Sequence, residues 1–295
     1  APCQGLVGWD RLSFLPMKLT ILPARALACI AVCATASGAM AQSAPPAQPL
    51  WELGVAAAAV SQQAYPGSDH QVRRALALPY VIYRGSIFRA DQDGVQVRAL
   101  KSGPFELDVG VHGTLGSNSS DIEARRGMPD LGTLVEAGPR IKWKIGAAPG
   151  GGRWEAELPL RGVFDLSDGL KGKGMTFEPE LRYARRSESG WAYNTKVGLR
   201  YGNRKINETL YGVTAAQATA IRPAYTARAG LVDTYVGLTA SRKMSDDWRF
   251  VTSLRVDTVS GAANASSPLV RQKTGSTLWV GVVYTGWRSS QTGTE

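Results

Sequence analysis

In residues 104–116, PFELDVGVHGTLG, every second position is apolar or glycine: Phe105, Leu107, Val109, Val111, Gly113 and Leu115. Between them stand Glu106, Asp108 and His112. A strand sends alternate side chains to opposite faces, so this one has an oily face and an ionisable face. The same period of two recurs along the chain, in segments bounded by Gly, Pro, Asp and Ser. No sustained 3.6-residue period appears, and no apolar run reaches the length of a membrane helix after residue 50.

The pattern predicts twelve strands, at roughly 51–61, 72–84, 86–91, 95–101, 104–116, 133–146, 153–165, 174–186, 190–203, 229–242, 247–259 and 276–287. In VEAGPRIKWKI, Val135, Ala137, Ile141, Trp143 and Ile145 oppose Glu136, Arg140, Lys142 and Lys144. In RWEAELPLR, Trp154, Ala156, Leu158 and Leu160 oppose Glu155, Glu157 and Arg161. Met175, Phe177, Leu181 and Tyr183 oppose Glu178, Glu180 and Arg182. Trp191, Tyr193, Val197, Leu199 and Tyr201 oppose Asn194, Lys196 and Arg200.

Short links at 84–86, 102–103, 147–152, 187–189 and 243–246 alternate with mostly longer ones at 62–71, 117–132, 166–173, 204–228 and 260–275. That asymmetry is the habit of an outer-membrane barrel, with short periplasmic turns and long external loops. Trp and Tyr residues fall mostly near strand ends, where an interfacial girdle would place them. A soluble core could not bury the charged face cheaply. Closing the sheet sends the oil to lipid and the charge inward, and leaves no open edge. The fold class is therefore all-β, an antiparallel transmembrane outer-membrane β-barrel of about 12 strands, with 10 as the alternative.

The candidate lumen lining is Glu106, Asp108, His112, Glu136, Arg140, Lys142, Lys144, Glu155, Glu157, Arg161, Glu178, Glu180, Arg182, Lys196 and Arg200. Opposite charges on neighbouring strands can pair across the sheet. Such a lining either fills a small barrel with ion pairs or makes a pore selective. Filling is preferred, because mid-sized barrels are often occluded. Glu155/Glu157 and Glu178/Glu180 are spaced for acid–base work on a sugar, yet arginines nearby make salt bridges the simpler reading. His70 and His112 are the only histidines, and no Ser motif points at either, so a barrel-wall hydrolase is the weakest alternative. No metal-ligand grouping appears, and the Gly-rich GAAPGGGR and GLKGKG lack the phosphate-loop pattern. No catalytic, cofactor-binding or metal residues are assigned, and no cofactor is expected.

The N-terminus sets the compartment. From Met17, MKLTILPARALACIAVCATASGAMAQS has a basic start at Lys18 and Arg25, an apolar stretch over Ala26–Ala36 and an A-x-A site at Ala39–Ala41. A secretory signal peptide over 17–41, cleaved between Ala41 and Gln42, is expected. Residues 1–16 read as an over-extended start, 42–50 as a Pro-rich leader, 51–287 as the barrel and 288–295 as a C-terminal tail. All three cysteines, Cys3, Cys29 and Cys33, fall before residue 42, so the barrel has neither disulfides nor thiolate metal sites. Of 34 basic and 24 acidic residues, three and one lie in 1–41, leaving a net charge of +8. A basic exported chain suits lipopolysaccharide, other anionic outer-membrane lipid or acidic polymers as partners, although solubility and loop charge are the simpler account of the excess, and nucleic acid is improbable.

Seven stretches in order resemble the MipA/OmpV family, the MltA-interacting proteins of Gram-negative outer membranes. They are YPGSD (Tyr65–Asp69), LPYVIYRG (Leu78–Gly85), RADQDGV (Arg89–Val95), RRGMPDLG (Arg125–Gly132), NETLYGV (Asn207–Val213), RPAY (Arg222–Tyr225) and SPLV (Ser267–Val270). The resemblance implies an outer-membrane barrel without enzymatic activity. It further implies a scaffold in murein maintenance, with a murein lytic transglycosylase and a murein synthase as partners. The family-motif loop contributes Arg125, Arg126, Gly127, Met128, Pro129 and Asp130. Gly127 and Pro129 are expected to shape a turn, and the two arginines to pair with lumen acids. A narrow pore for small solutes stands as the alternative function.

Overall fold

The structure is a computed structural model and describes residues 48–85, 88–91 and 94–293. The readings of residues 1–16, of the signal peptide and its cleavage site, and of the leader up to residue 47 lie outside the described residues. Among the described residues, thirteen strand segments form one antiparallel sheet. They are β1 (Trp51–Gln63), β2 (Gln71–Arg84), β3 (Phe88–Asp91), β4 (Gly94–Ser102), β5 (Phe105–Thr114), β6 (Leu134–Ala148), β7 (Gly152–Asp165), β8 (Lys171–Phe177), β9 (Glu180–Arg186), β10 (Trp191–Gly202), β11 (Gly230–Lys243), β12 (Trp248–Thr258) and β13 (Thr274–Arg288).

β8 and β9 each pair with β7 on one side and β10 on the other. They are two halves of a single stave, interrupted at Glu178–Pro179, where proline has no N–H to give the ladder. The thirteen segments thus make twelve staves, as the sequence pattern predicts. β1 pairs with β13 from Glu52↔Arg288 to Ser61↔Leu278, which closes the sheet into a barrel. Closure leaves a register shift between Leu53 and Gly54. Gly54 is needed there, because a Cβ would collide with the carbonyl oxygen of Tyr284.

The outer surface carries the oil. Val55, Val109, Ile141, Leu158, Met175, Val197, Val236, Leu254 and Val280 are all exposed large apolar side chains, on nearly every stave. A water-facing surface does not carry a continuous apolar belt of this kind, whereas a membrane barrel requires one. No described helix is long and apolar enough to cross a membrane. At the end of the short turns, aromatic rings pair into a girdle: Phe105 with Trp143, Trp154 with Tyr183, Trp191 with Phe250, and Trp248 with Tyr284. Rings placed there keep their apolar bodies in lipid and their polar edges at water.

Residues 289–293 run beside 48–51 at this turn end. Ser289 N–H donates to Trp51 O, Leu50 N–H to Gln291 O and Gly293 N–H to Gln48 O. The opposite end carries the long loops 115–133, 203–229 and 259–273, and among them the period-two reading missed a helix, α1 (Arg204–Tyr211). Eight residues are too few to show a 3.6 period. The audible signal was the cap: Asn203 accepts a hydrogen bond from Ile206 N–H at 3.2 Å.

Candidate functional site

Alternation fixes what each stave presents inward. On β5, Glu106, Asp108 and Gly110 are buried while Phe105, Val109 and Val111 are exposed to the outside. The registers then bring acids and bases together: Glu106↔Lys142 and Asp108↔Arg140 across β5–β6, and Lys142↔Glu157 and Lys144↔Glu155 across β6–β7. Arg140 grips Asp108 with two nitrogens, each at 3.0 Å, and reaches Glu157 at 3.1 Å. Lys142 adds a second cation 3.1 Å from Asp108, which is fully buried. Glu157 also takes Arg182 from β9.

The network runs on around the barrel. Arg161 bridges Glu178 at 3.0 Å and Glu136 at 3.8 Å, and Glu136 also accepts from Thr176 Oγ1 at 3.1 Å. Glu178 sits at the Pro179 break, where it also meets Arg200 at 3.8 Å and Arg255 at 3.3 Å. Glu180 accepts from Lys196 at 3.0 Å and from the Tyr235 hydroxyl at 2.7 Å. Two inward residues are loosely held: Lys144 lies 4.0 Å from Glu106 with half its side chain in water, and Glu155 pairs with exposed Arg153. His112 is on the inward face but remains accessible.

Sequence reasoning missed three members of this network. Asp233, fully buried, joins Arg255 at 2.9 Å and Arg200 at 3.5 Å. Arg255 lies 3.6 Å from the centroid of the Tyr235 ring, a close cation–π contact. The signal was present, since Asp233, Tyr235 and Arg255 sit at inward positions of β11 and β12. Those strands carry fewer charges, which made them look unremarkable.

Above the ion pairs, the long loops pack on one another as a cap with its own apolar core: Tyr65, Ile122, Met128, Leu131, Tyr211, Val213 and Leu269. Hydrogen bonds tie the loops across the barrel mouth. The Tyr65 hydroxyl donates to Leu269 O at 2.8 Å, Tyr211 to Pro66 O at 3.1 Å and Ser267 Oγ to Tyr211 O at 2.8 Å. Burial pushes the Tyr65 phenol up to about 12 and the Tyr211 phenol higher still.

The motif loop is part of this cap, and its arginines depart from the expected pairing with lumen acids. Arg125 is buried and donates to the carbonyls of Thr209, Leu210 and Pro129, with its guanidinium 5.6 Å above the Tyr65 ring. Burial lowers its pKa. Its planar fork suits several carbonyls at once. Arg126 is exposed, and its carbonyl accepts from Arg222 Nη1 at 3.0 Å. Gly127 takes φ +80°, the left-handed turn only glycine adopts freely, and Met128 enters the cap core. Asp130 accepts from Ser119 N–H at 2.6 Å, and Pro129 gives its carbonyl to Ser119 Oγ. Each motif residue is thus accounted for by the cap.

Chemically, the interior holds a fixed pattern of paired charge. Its paired carboxylates are already engaged by cations. Among the described residues, no group of three or more His, Cys, Asp or Glu is arranged to hold a metal ion.

The family described as MltA-interacting protein MipA matches residues 54–286, which is nearly the whole barrel. No curated protein matches the chain. Among solved structures, the chain is similar to a COG4313 outer membrane channel from Pseudomonas putida F1, at 11% identity, over 82% of this chain and 97% of that one. The TM-score of 0.35 is too low for that likeness to carry an argument.

Proposed function

The chain belongs to the MltA-interacting protein MipA family, and on that premise we propose that it is a non-conducting outer-membrane barrel that acts by binding. It works without catalysis, as a scaffold for envelope proteins in murein maintenance. The family description points to a murein lytic transglycosylase as one partner, and the sequence resemblance adds a murein synthase. Lipopolysaccharide and neighbouring lipids contact its apolar belt, and its turns and the paired segments 48–51 and 289–293 face the periplasm, where murein enzymes work.

The observation that carries this reading is the burial of the interior charges. Asp108, Glu157, Arg140 and Asp233 are closed off from water under a packed loop cap. A water-filled pore would leave its lining charges hydrated. Planar-bilayer recording tests it. The expected trace has no stable open steps. Steady steps that change with charge reversal at Lys142 or Glu155 would establish the narrow pore instead. For the scaffold, the immobilised barrel should retain a murein transglycosylase and lose it when turns 149–151, 187–190 and 244–247 are replaced. Retention unaffected by those replacements counts against a scaffold surface on the turns.

A further inference from the structure

The wall of the barrel is incomplete at one place. β3 meets β2 through two residue pairs, Tyr83↔Ala90 and Arg84↔Arg89. It then folds back into β4 at Asp91↔Gly94. From Gln71 to Val81, the β2 edge facing away from β1 pairs with no strand among the described residues. Across the gap, β5 pairs with β4 up to Val111, leaving His112, Gly113 and Thr114 on the same opening. A strand inside a continuous wall exposes alternate residues. Here β2 exposes Arg73–Ala75 and Ala77–Pro79, and β5 exposes Val111–Thr114, on both faces. The opening is bridged toward the loop end by Gln62 Nε2 on Leu115 O at 3.2 Å and Arg74 Nη2 on Gly116 O at 3.3 Å. It is a lateral window, bounded on the turn side by the β3–β4 hairpin.

What lies behind the window is unlike the rest of the interior. Leu78 shares the inward face with Ile82, which is 2% exposed, yet Leu78 is 57% exposed. Opposite Leu76 and Leu78 on β1 stand Ala58 and Ala56, small and uncharged. Along Leu76, Leu78, Ala56 and Ala58 this side of the barrel is apolar, with the Arg84–Glu52 pair (2.7 Å) confined to its turn end, whereas the side from β5 to β12 is packed with ion pairs. At the loop-end rim, Arg73 and Arg74 line a cavity of ≈ 240 Å³ with His70, Ser117, Asn118 and one carboxylate, Asp121, which leaves the two arginines a net positive charge there. Among the described residues, no ion pair engages either arginine.

We propose that the window admits an acyl chain of an anionic membrane lipid. The chain lies against Leu76, Leu78, Ala56 and Ala58, and the phosphate is held by Arg73 and Arg74 at the rim. The window opens from the apolar belt, so the chain enters without crossing water. Burying methylenes on an apolar wall is favourable, and guanidinium groups suit phosphate oxygens. An added protein strand fits the same edge less well. Pro79 has no N–H to offer a partner strand, and two arginines on an edge discourage pairing. The inference rests on the reading of the chain as a membrane barrel.

The test uses a chain with Cys3, Cys29 and Cys33 changed to serine, carrying one cysteine labelled with bimane, in vesicles containing acyl-chain nitroxide lipids. Val280→Cys reports the outer belt, Ser253→Cys the interior away from the window, and Leu78→Cys the wall behind it. Leu78→Cys should be quenched like Val280→Cys, and Ser253→Cys should stay bright. Nitroxide phosphatidylglycerol should quench Leu78→Cys more than nitroxide phosphatidylcholine, and the difference should vanish with Arg73→Gln and Arg74→Gln together. Quenching at 280 with none at 78 overturns the window, whether it is shut or filled by a strand. No preference for the anionic lipid overturns the phosphate site. Absence of quenching at 280 as well overturns the membrane barrel itself, a separate failure.

Discussion

Glu155 and Glu157 are two residues apart on one face of β7, and the interior treats them very differently. Glu157 is 2% exposed, accepts from Arg140 Nη1 at 3.1 Å and is paired with Arg182. Glu155 pairs with Arg153, whose side chain is largely in water. Replacing Glu157 with Gln keeps the shape and removes the charge between two buried guanidinium groups. Breaking a buried pair this way costs about 3–5 kcal/mol. Arg140 keeps its two contacts to Asp108 and Arg182 its 3.6 Å contact to Glu180, so the loss should lie near ~3 kcal/mol. That is roughly a hundredfold shift in the folding equilibrium. Glu155→Gln, at a half-exposed pair, should cost less than about 1 kcal/mol. The assay is urea unfolding of the barrel from lipid vesicles, followed by tryptophan fluorescence. If the two variants agree to within the ~0.5 kcal/mol of an ordinary surface change, the interior is hydrated and the occluded barrel is wrong.

Three further outcomes follow from the cap and the seam. Ile122, fully buried in the cap core, should cost about 2–5 kcal/mol of local stability as Ile122→Ala. Protease should then cut loop 115–133 sooner while the strands stay protected. The Tyr65 phenol is raised from 10.0 to about 12 in the folded cap, so its contribution is complete below pH 10 and is lost as pH rises toward 12. Cap protection should fall over that window, and Tyr65→Phe should remove this part of the dependence; an unchanged profile would mean the phenol is not buried. Gly54→Ala should impair closure of β1 on β13, since the added Cβ meets the Tyr284 carbonyl. Loss of heat-modifiable gel mobility is the readout, and normal mobility would show that the seam relaxes.

The sequence by itself determined the staves, their inward and outward faces, and the barrel that those faces require. A period of two is a local property. Once one face is oily and the other charged in nearly every strand, closure around a polar interior is the arrangement that leaves no edge and no buried oil–charge conflict. The inward positions of Glu106, Asp108, Arg140, Glu157 and Arg182 follow from alternation alone. Their partners do not. Whether Arg140 meets Asp108 or another acid depends on register, which shifts at irregularities such as Lys144/Gly146 in β6–β7. Only tertiary structure brought Asp233 to Arg255, because these residues belong to different strands with little charge nearby. It also decided the fate of the motif loop. Arg125 donates to the carbonyls of α1 where the loops pack over the mouth, a contact between segments more than eighty residues apart. The window beside β2 was likewise invisible, since the length of β3 is set by where its hairpin turns and not by the pattern of its four residues. Pattern fixes which face a side chain takes; the neighbours across a sheet, and the places where a neighbour is missing, are settled by the closed barrel alone.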